Sequence, residues 1–185
     1  LSGYPPEDLV LKPAFQDAIK DAVETLAGET ADGGPAILTG APWRGPDSGL
    51  HNAALLLDAG AIAQTRLKHM LPNYGVFDEK RVFQAGPMPG PMPFRGVRLG
   101  VMVCEDMWTE DVAECLSESA AEIMIVINGS PFEADKADQR LNLAVARIGE
   151  CGLPFIYVNL VGGQDELVFD GGSFVIDETY TLRVR

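Results

Sequence analysis

The stretch Val97-Arg98-Leu99-Gly100-Val101-Met102-Val103-Cys104-Glu105-Asp106-Met107-Trp108 decides the fold. Its first seven residues carry the apolar pattern of a buried strand, and that strand runs directly into Cys104. Acidic residues and a tryptophan follow at once, which marks a sharp strand-to-helix turn. Downstream, a helix is expected over about 110–119 and a strand over 122–127. Residues 138–150 read as a helix with Leu141, Ala144, Val145 and Ile148 on one face, closed by Gly152 after Cys151. Residues 154–160 read as another strand, and 172–177 with 179–184 as a hairpin. Strands separated by helices, with antiparallel pairs at hairpins, define the α/β class.

Upstream, Pro5 and Pro6 punctuate an opening loop. Phe15, Ala18, Ile19, Ala22, Val23 and Leu26 then recur at helical spacing, so an amphipathic helix starts near Pro13. Gly33-Gly34-Pro35 ends it, and Ala36-Ile37-Leu38-Thr39-Gly40 is a short buried strand. Residues 53–58 and 61–67 flank Ala59-Gly60 as a hairpin. From Lys68 to Pro93 the chain is rich in Pro, Gly and aromatic residues without sustained period. It reads as a long loop, either functional or poorly ordered. No internal repeat, low-complexity tract or linker interrupts the pattern.

The 185 residues are 46% hydrophobic and 22% charged, enough to bury a core within one domain. A formal net charge of −13 opposes a nucleic-acid partner by long-range repulsion. Three irregularly spaced cysteines without a CxxC pair argue against a disulfide framework or a zinc site, and a reducing, cytoplasmic setting fits them. No apolar run reaches the ~18 to 20 residues of a membrane span, and no signal-peptide pattern opens the chain. The start at Leu1 rather than Met suggests an excised piece.

Cys104 is the candidate nucleophile, because backbone N–H groups just after such a turn can stabilise an oxyanion during acyl transfer. The ordinary fate of a cysteine is to pack in the interior, and Cys115 and Cys151, in or beside helical patterns, are read that way. His51, which precedes a strand, reads as a surface or hydrogen-bonding residue, and a thiol–imidazole arrangement with His69 is the weaker alternative. Lys68 and Glu79 are by default solvated charges. An ammonium near a cysteine, however, favours thiolate, and a buried Glu79 would orient Lys68 and balance its charge. Asn128-Gly129-Ser130-Pro131 has good turn chemistry, and at the end of a parallel strand it would line an active-site crevice. Glycines 162, 163, 171 and 172 match neither GxGxxG nor GxxxxGK[ST], so no nucleotide site is expected.

Taken together these residues resemble the nitrilase superfamily, and within it the glutaminase domain of glutamine-dependent NAD⁺ synthetases. The likeness runs over nearly the whole chain. Its carriers are Gly3-Tyr4-Pro5-Pro6-Glu7-Asp8-Leu9, Lys68 through Tyr74 with Phe77-Asp78-Glu79-Lys80-Arg81, and Val103-Cys104-Glu105-Asp106-Met107-Trp108. Asn128-Gly129-Ser130-Pro131-Phe132 and the long string from Tyr157 to Ser173, with Val161-Gly162-Gly163-Gln164-Asp165-Glu166-Leu167 at its centre, complete the set.

The resemblance implies a four-layer αββα sandwich, incomplete here, with residues 1–185 forming one partial glutamine amidohydrolase domain. It also implies a Glu-Lys-Cys triad. Cys104 matches the nucleophile that forms the γ-glutamyl thioester, Lys68 the triad lysine, and Glu79 an additional carboxylate beside the triad. Tyr74, Glu105, Ser130 and Lys136 match the glutamine-binding set, Lys136 standing where relatives can carry Arg. No cofactor is implied for this domain. ATP and Mg²⁺ would serve a C-terminal synthetase domain that amidates deamido-NAD⁺ with the released ammonia, in a homo-oligomer. The family's general-base glutamate lies before the motif that opens this chain, so the isolated piece is expected to be inactive, and Glu7 and Asp8 do not replace it. Two other readings stand beside this one: a free-standing nitrilase-type amidase or carbamoylase, and a catalytically dead binding module.

Overall fold

A computed structural model describes residues 1–185 in full. The chain divides into two compact units, Leu1–Pro87 and Met88–Arg185. Each is built around its own sheet.

In the first unit, α1 (Pro13–Glu29) begins with proline at its first turn and precedes β1 (Ile37–Arg44), β2 (Leu50–Asp58) and β3 (Ala61–Leu67), an antiparallel sheet in the order β1-β2-β3. Ile19, Val23 and Ala27 of α1 recur every fourth residue and bury against Ala41, Ala53, Leu55 and Leu57. Ala18 and Ala22, expected on the same face, are exposed, and Ala27 continues the stripe instead. The first strand runs four residues beyond its expected end at Gly40, pairing Arg44 with Leu50. Its partner β2 begins earlier than expected too, which brings His51 inside a strand.

The stretch after Lys68 is better tied down than a free loop. It contains a single helical turn, α2 (Glu79–Val82), and its backbone is bonded back to the sheet. Gln84 N–H donates to Leu50 O at 2.8 Å and Gly86 N–H to Lys68 O at 2.7 Å. His51 Nδ1 lies 2.8 Å from Gln84 O and His69 Nδ1 2.8 Å from Gly86 O. The approach at Gly86 leaves no room for a side chain: a Cβ there would stand 2.6 Å from both Cβ and the carbonyl oxygen of Leu67.

The second unit carries a six-stranded sheet in the order β11-β10-β7-β6-β5-β4. Its centre is parallel: β5 (Val97–Val103), β6 (Ile123–Asn128) and β7 (Phe155–Asn159), joined through α3 (Glu110–Glu118) and α4 (Lys136–Cys151). Antiparallel β4 (Met92–Phe94) flanks one side, with β10 (Phe174–Ile176) and β11 (Leu182–Val184) on the other. Leu99 through Val103 are all buried, as a central parallel strand requires. Gly152 ends α4 in the left-handed conformation expected of it. A separate hairpin, β8 (Val161–Gln164) with β9 (Leu167–Asp170), occupies a stretch for which no strands were expected.

No helix is long and apolar enough to cross a membrane. Gly86→Ala is expected to lower the unfolding free energy by about 1–3 kcal/mol, since Leu67 must move to admit the methyl group. A urea titration with an unchanged midpoint would show that the segment after Lys68 does not press on β3.

Candidate active site

Because β5, β6 and β7 are parallel, with Val103 opposite Ile127 and Asn128 opposite Asn159, the residues that follow them emerge along one edge of the sheet. These are Cys104, Gly129-Ser130 and Leu160. Cys104 begins a short 3₁₀ turn, Cys104–Met107, with φ at +47°. A side chain with a Cβ takes that left-handed conformation only at a cost of about 1–3 kcal/mol, and such sites cluster where function holds them in place. The turn is held from inside: Val103 N–H donates to Asp106 Oδ2 at 3.0 Å, and Trp108 N–H to Glu105 O at 2.9 Å. Asp106 is fully buried, and Cys104 is buried at the strand end. None of the three cysteines forms a disulfide.

Tyr157 of β7 joins this end of the sheet. Burial pushes its phenol well above the ordinary range, so it stays neutral. Its ring stacks on Phe174, with centroids 4.8 Å apart. Ser130 is itself buried. Its N–H donates to Asn159 Oδ1 at 2.9 Å, and Asn159 Nδ2 returns bonds to Ser130 O at 3.1 Å and Gly171 O at 2.9 Å. Arg140 of α4 completes the ring through bonds to Ser130, Pro131 and Asp170. Asn159, Tyr157, Asp170 and Arg140 were not expected as site residues. The helical periodicity of α4 suggested Leu141 and Val145 as inward positions, whereas its buried residues are Arg140, Ala144, Arg147 and Ile148.

The first unit holds the second cluster. Lys68 follows β3 directly, and its N–H donates to Asn52 O at 2.8 Å, continuing the β2–β3 ladder. Its ammonium is completely buried and stands 2.7 Å from Glu79 Oε2, with Glu79 only 3% exposed. The two charges meet as an ion pair without an aligned hydrogen bond. The other carboxylate oxygen of Glu79 accepts from Tyr4 Oη at 2.9 Å and Asn52 Nδ2 at 2.8 Å. The default expectation for both residues, a solvated charge, is therefore wrong. A buried pair survives only where its remaining polar atoms are compensated, and Tyr4 and Asn52 do that for the carboxylate.

The other candidates are placed as follows. Tyr74 is half exposed, its ring edge-on to Phe77 at 5.6 Å. Glu105 sits in the turn after Cys104. Lys136 starts α4, with Nζ 3.4 Å from Glu133 Oε1 and 5.1 Å above the Trp108 ring. Cys115 lies within α3, its thiol 3.5 Å from Pro89 O, and Cys151 is the last residue of α4. His51 is hydrogen-bonded as expected but buried inside β2 rather than at the surface. Glu7 and Asp8 both pair with Arg81 at the surface, which leaves them no part in the Lys68 cluster.

Comparison with known proteins follows the same lines. The carbon-nitrogen hydrolase family model matches residues 2–183. A glutamine-dependent NAD(+) synthetase of Rhodobacter capsulatus is 44% identical over 185 residues, covering 100% of this chain and 33% of that protein. The chain thus spans a third of the length of such relatives. A glutamine-dependent NAD+ synthetase from Acinetobacter baumannii superposes with a TM-score of 0.87 at 33% identity, over 98% of this chain and 34% of the other. A mutant of the amidase from Nesterenkonia sp. AN1 superposes with a TM-score of 0.82 at 26% identity, over 97% and 67% of the two chains. That amidase carries the acetamide moiety of fluoroacetamide covalently on its active-site cysteine. With nearly every residue inside the match, and an α/β architecture shared with solved members, this chain belongs to the carbon-nitrogen hydrolase family.

Proposed function

We propose that this chain hydrolyses L-glutamine to glutamate and ammonia through a thioester on Cys104. The ammonia is consumed in ATP-dependent amidation of deamido-NAD⁺ by a synthetase part of the same polypeptide. The observation that carries this reading is Cys104 itself, held in a left-handed turn at the end of the buried strand β5, next to the parallel strand that leads into Ser130. The 44% identity to a glutamine-dependent NAD(+) synthetase, against 26% to a free-standing amidase, favours glutamine over simpler amides.

The chemistry balances with these groups. The Cys104 sulfur adds to the side-chain amide carbon of glutamine, and its proton passes to the departing nitrogen. The C–N bond breaks and ammonia leaves behind a γ-glutamyl thioester. Water then adds to the acyl carbon, the C–S bond breaks, and glutamate departs as the thiol recovers its proton. In this scheme Lys68 supports the developing oxyanion and the proton transfers, with Glu79 balancing its charge. Tyr74, Glu105, Ser130 and Lys136 hold the glutamine. The family resemblance assigns the general-base role to a glutamate that precedes the Gly3-Tyr4 motif, and Glu7 and Asp8, paired with Arg81 at the surface, do not take that role in this scheme. ATP and Mg²⁺ belong to the synthetase part. Cytoplasmic location and homo-oligomeric assembly belong to the same reading.

In the full-length polypeptide, Cys104→Ala is expected to depress ammonia release from glutamine by more than about a thousandfold, the scale of nucleophile loss in covalent catalysis. Added ammonium should still support NAD⁺ formation from deamido-NAD⁺ and ATP. Undiminished glutamine hydrolysis in this variant would remove Cys104 from the mechanism. A wild type that leaves glutamine untouched would remove the substrate.

Lys68→Met should cost about 3–5 kcal/mol of stability, because Glu79 is left as an uncompensated buried charge. The double variant Lys68→Met with Glu79→Leu should recover much of that loss in thermal unfolding while glutamine hydrolysis stays abolished. Recovery of activity along with stability would reduce the pair to a structural role.

A further inference from the structure

The guanidinium of Arg140 is buried on α4, and none of the chemistry above uses it. It makes four bonds. Nε–H donates to Ser130 Oγ at 3.1 Å, and Nη2 donates to the carbonyl oxygens of Ser130 at 2.8 Å and Pro131 at 2.9 Å. Nη1 donates to Asp170 Oδ1 at 2.9 Å, at the end of β9, which balances the buried charge. Three of the four bonds therefore grip Ser130 and Pro131, the second and third residues after β6. A planar donor fork with fixed geometry holds such a turn in a way that a flexible ammonium cannot.

The bond to Oγ has a chemical consequence. A serine hydroxyl has one proton, and a permanently charged donor on its oxygen turns that proton away toward an acceptor. Ser130 follows β6 at the same edge of the sheet at which Cys104 follows β5. The Asn159 side chain also fixes the Ser130 backbone, accepting from its N–H and donating to its carbonyl oxygen.

We propose that Arg140 is a positioning residue for substrate binding: clamped to the Ser130–Pro131 turn and balanced by Asp170, it presents the Ser130 hydroxyl as a directed donor to an oxygen of the bound amide substrate. This rests on the glutamine-hydrolysis reading above. Arg140 touches no substrate and acts through Ser130.

The test is a pair of cycles in the full-length polypeptide, combining Ser130→Ala with Arg140→Met and with Arg140→Lys. Arg140→Met is expected to raise the KM for glutamine about tenfold or more, the scale of one lost charge-assisted hydrogen bond, with a smaller change in kcat. Arg140→Lys should fall between wild type and Arg140→Met. In the Ser130→Ala background either change should add little. An equal rise in KM with and without Ser130, or no rise, overturns the proposal.

Hydrogen exchange supplies a readout that needs no substrate. Amides at 129, 130 and 132 should exchange faster in the Arg140 variants while those of β6 stay protected. If the wild type does not hydrolyse glutamine, the substrate reading fails, and unchanged exchange at these amides would overturn the clamp separately. Should Arg140→Met fail to fold, Arg140→Lys carries the same comparisons.

Discussion

Parallel strands β5, β6 and β7 are hydrogen-bonded with Val103 facing Ile127 and Asn128 facing Asn159, and the chemistry of the second unit hangs from that register. A slip of one residue would exchange the two faces of a strand. It would carry Tyr157 and Asn159 away from the buried side and break the two hydrogen bonds between the Asn159 side chain and the Ser130 backbone. The apolar burial of Leu99, Val101, Met124, Val126 and Phe155 locks the register. Hydrophobic packing in the middle of the sheet thus sets the geometry of a polar cluster at its edge.

Two buried cations show how this chain keeps charge inside. Lys68 is opposed by Glu79, whose other oxygen is taken up by Tyr4 and Asn52. Arg140 is opposed by Asp170 and spends its remaining donors on backbone and hydroxyl oxygens of one turn. Desolvating such charges is expensive, and each pair is retained only because several neighbours share the compensation. Tertiary compensation of this kind draws on residues far apart in the chain: Tyr4 lies 75 positions from Glu79, and Asp170 lies 30 from Arg140.

That dispersal explains which features were legible in the sequence. The strand entering Cys104, the helices on either side of β6 and the hairpin at Ala59-Gly60 all follow from local periodicity and turn residues. Burial of Lys68 and Glu79 does not, since an isolated lysine or glutamate reads as solvent-facing, and only the family resemblance singled them out. The inward face of α4 was misjudged for the same reason: Arg140 and Arg147 occupy buried positions that an apolar template assigns to Leu141 and Val145. The β8–β9 hairpin has no local signal, because Gly162 and Gly163 carry little strand propensity, whereas the extended backbone there is fixed by pairing with Phe169 and Val168. The segment after Lys68 looked unstructured because its order comes from bonds to Leu50 and Lys68 backbone, not from its own composition.

The central claim is that Cys104 carries the acyl group during turnover. Acid quenching of the full-length protein during steady-state glutamine hydrolysis, followed by peptide mapping with mass spectrometry, tests it directly. A glutamyl adduct on the peptide containing Cys104, lost on treatment with hydroxylamine, is the predicted result. An adduct on Cys115 or Cys151 instead, or turnover with Cys104 never modified, would contradict it.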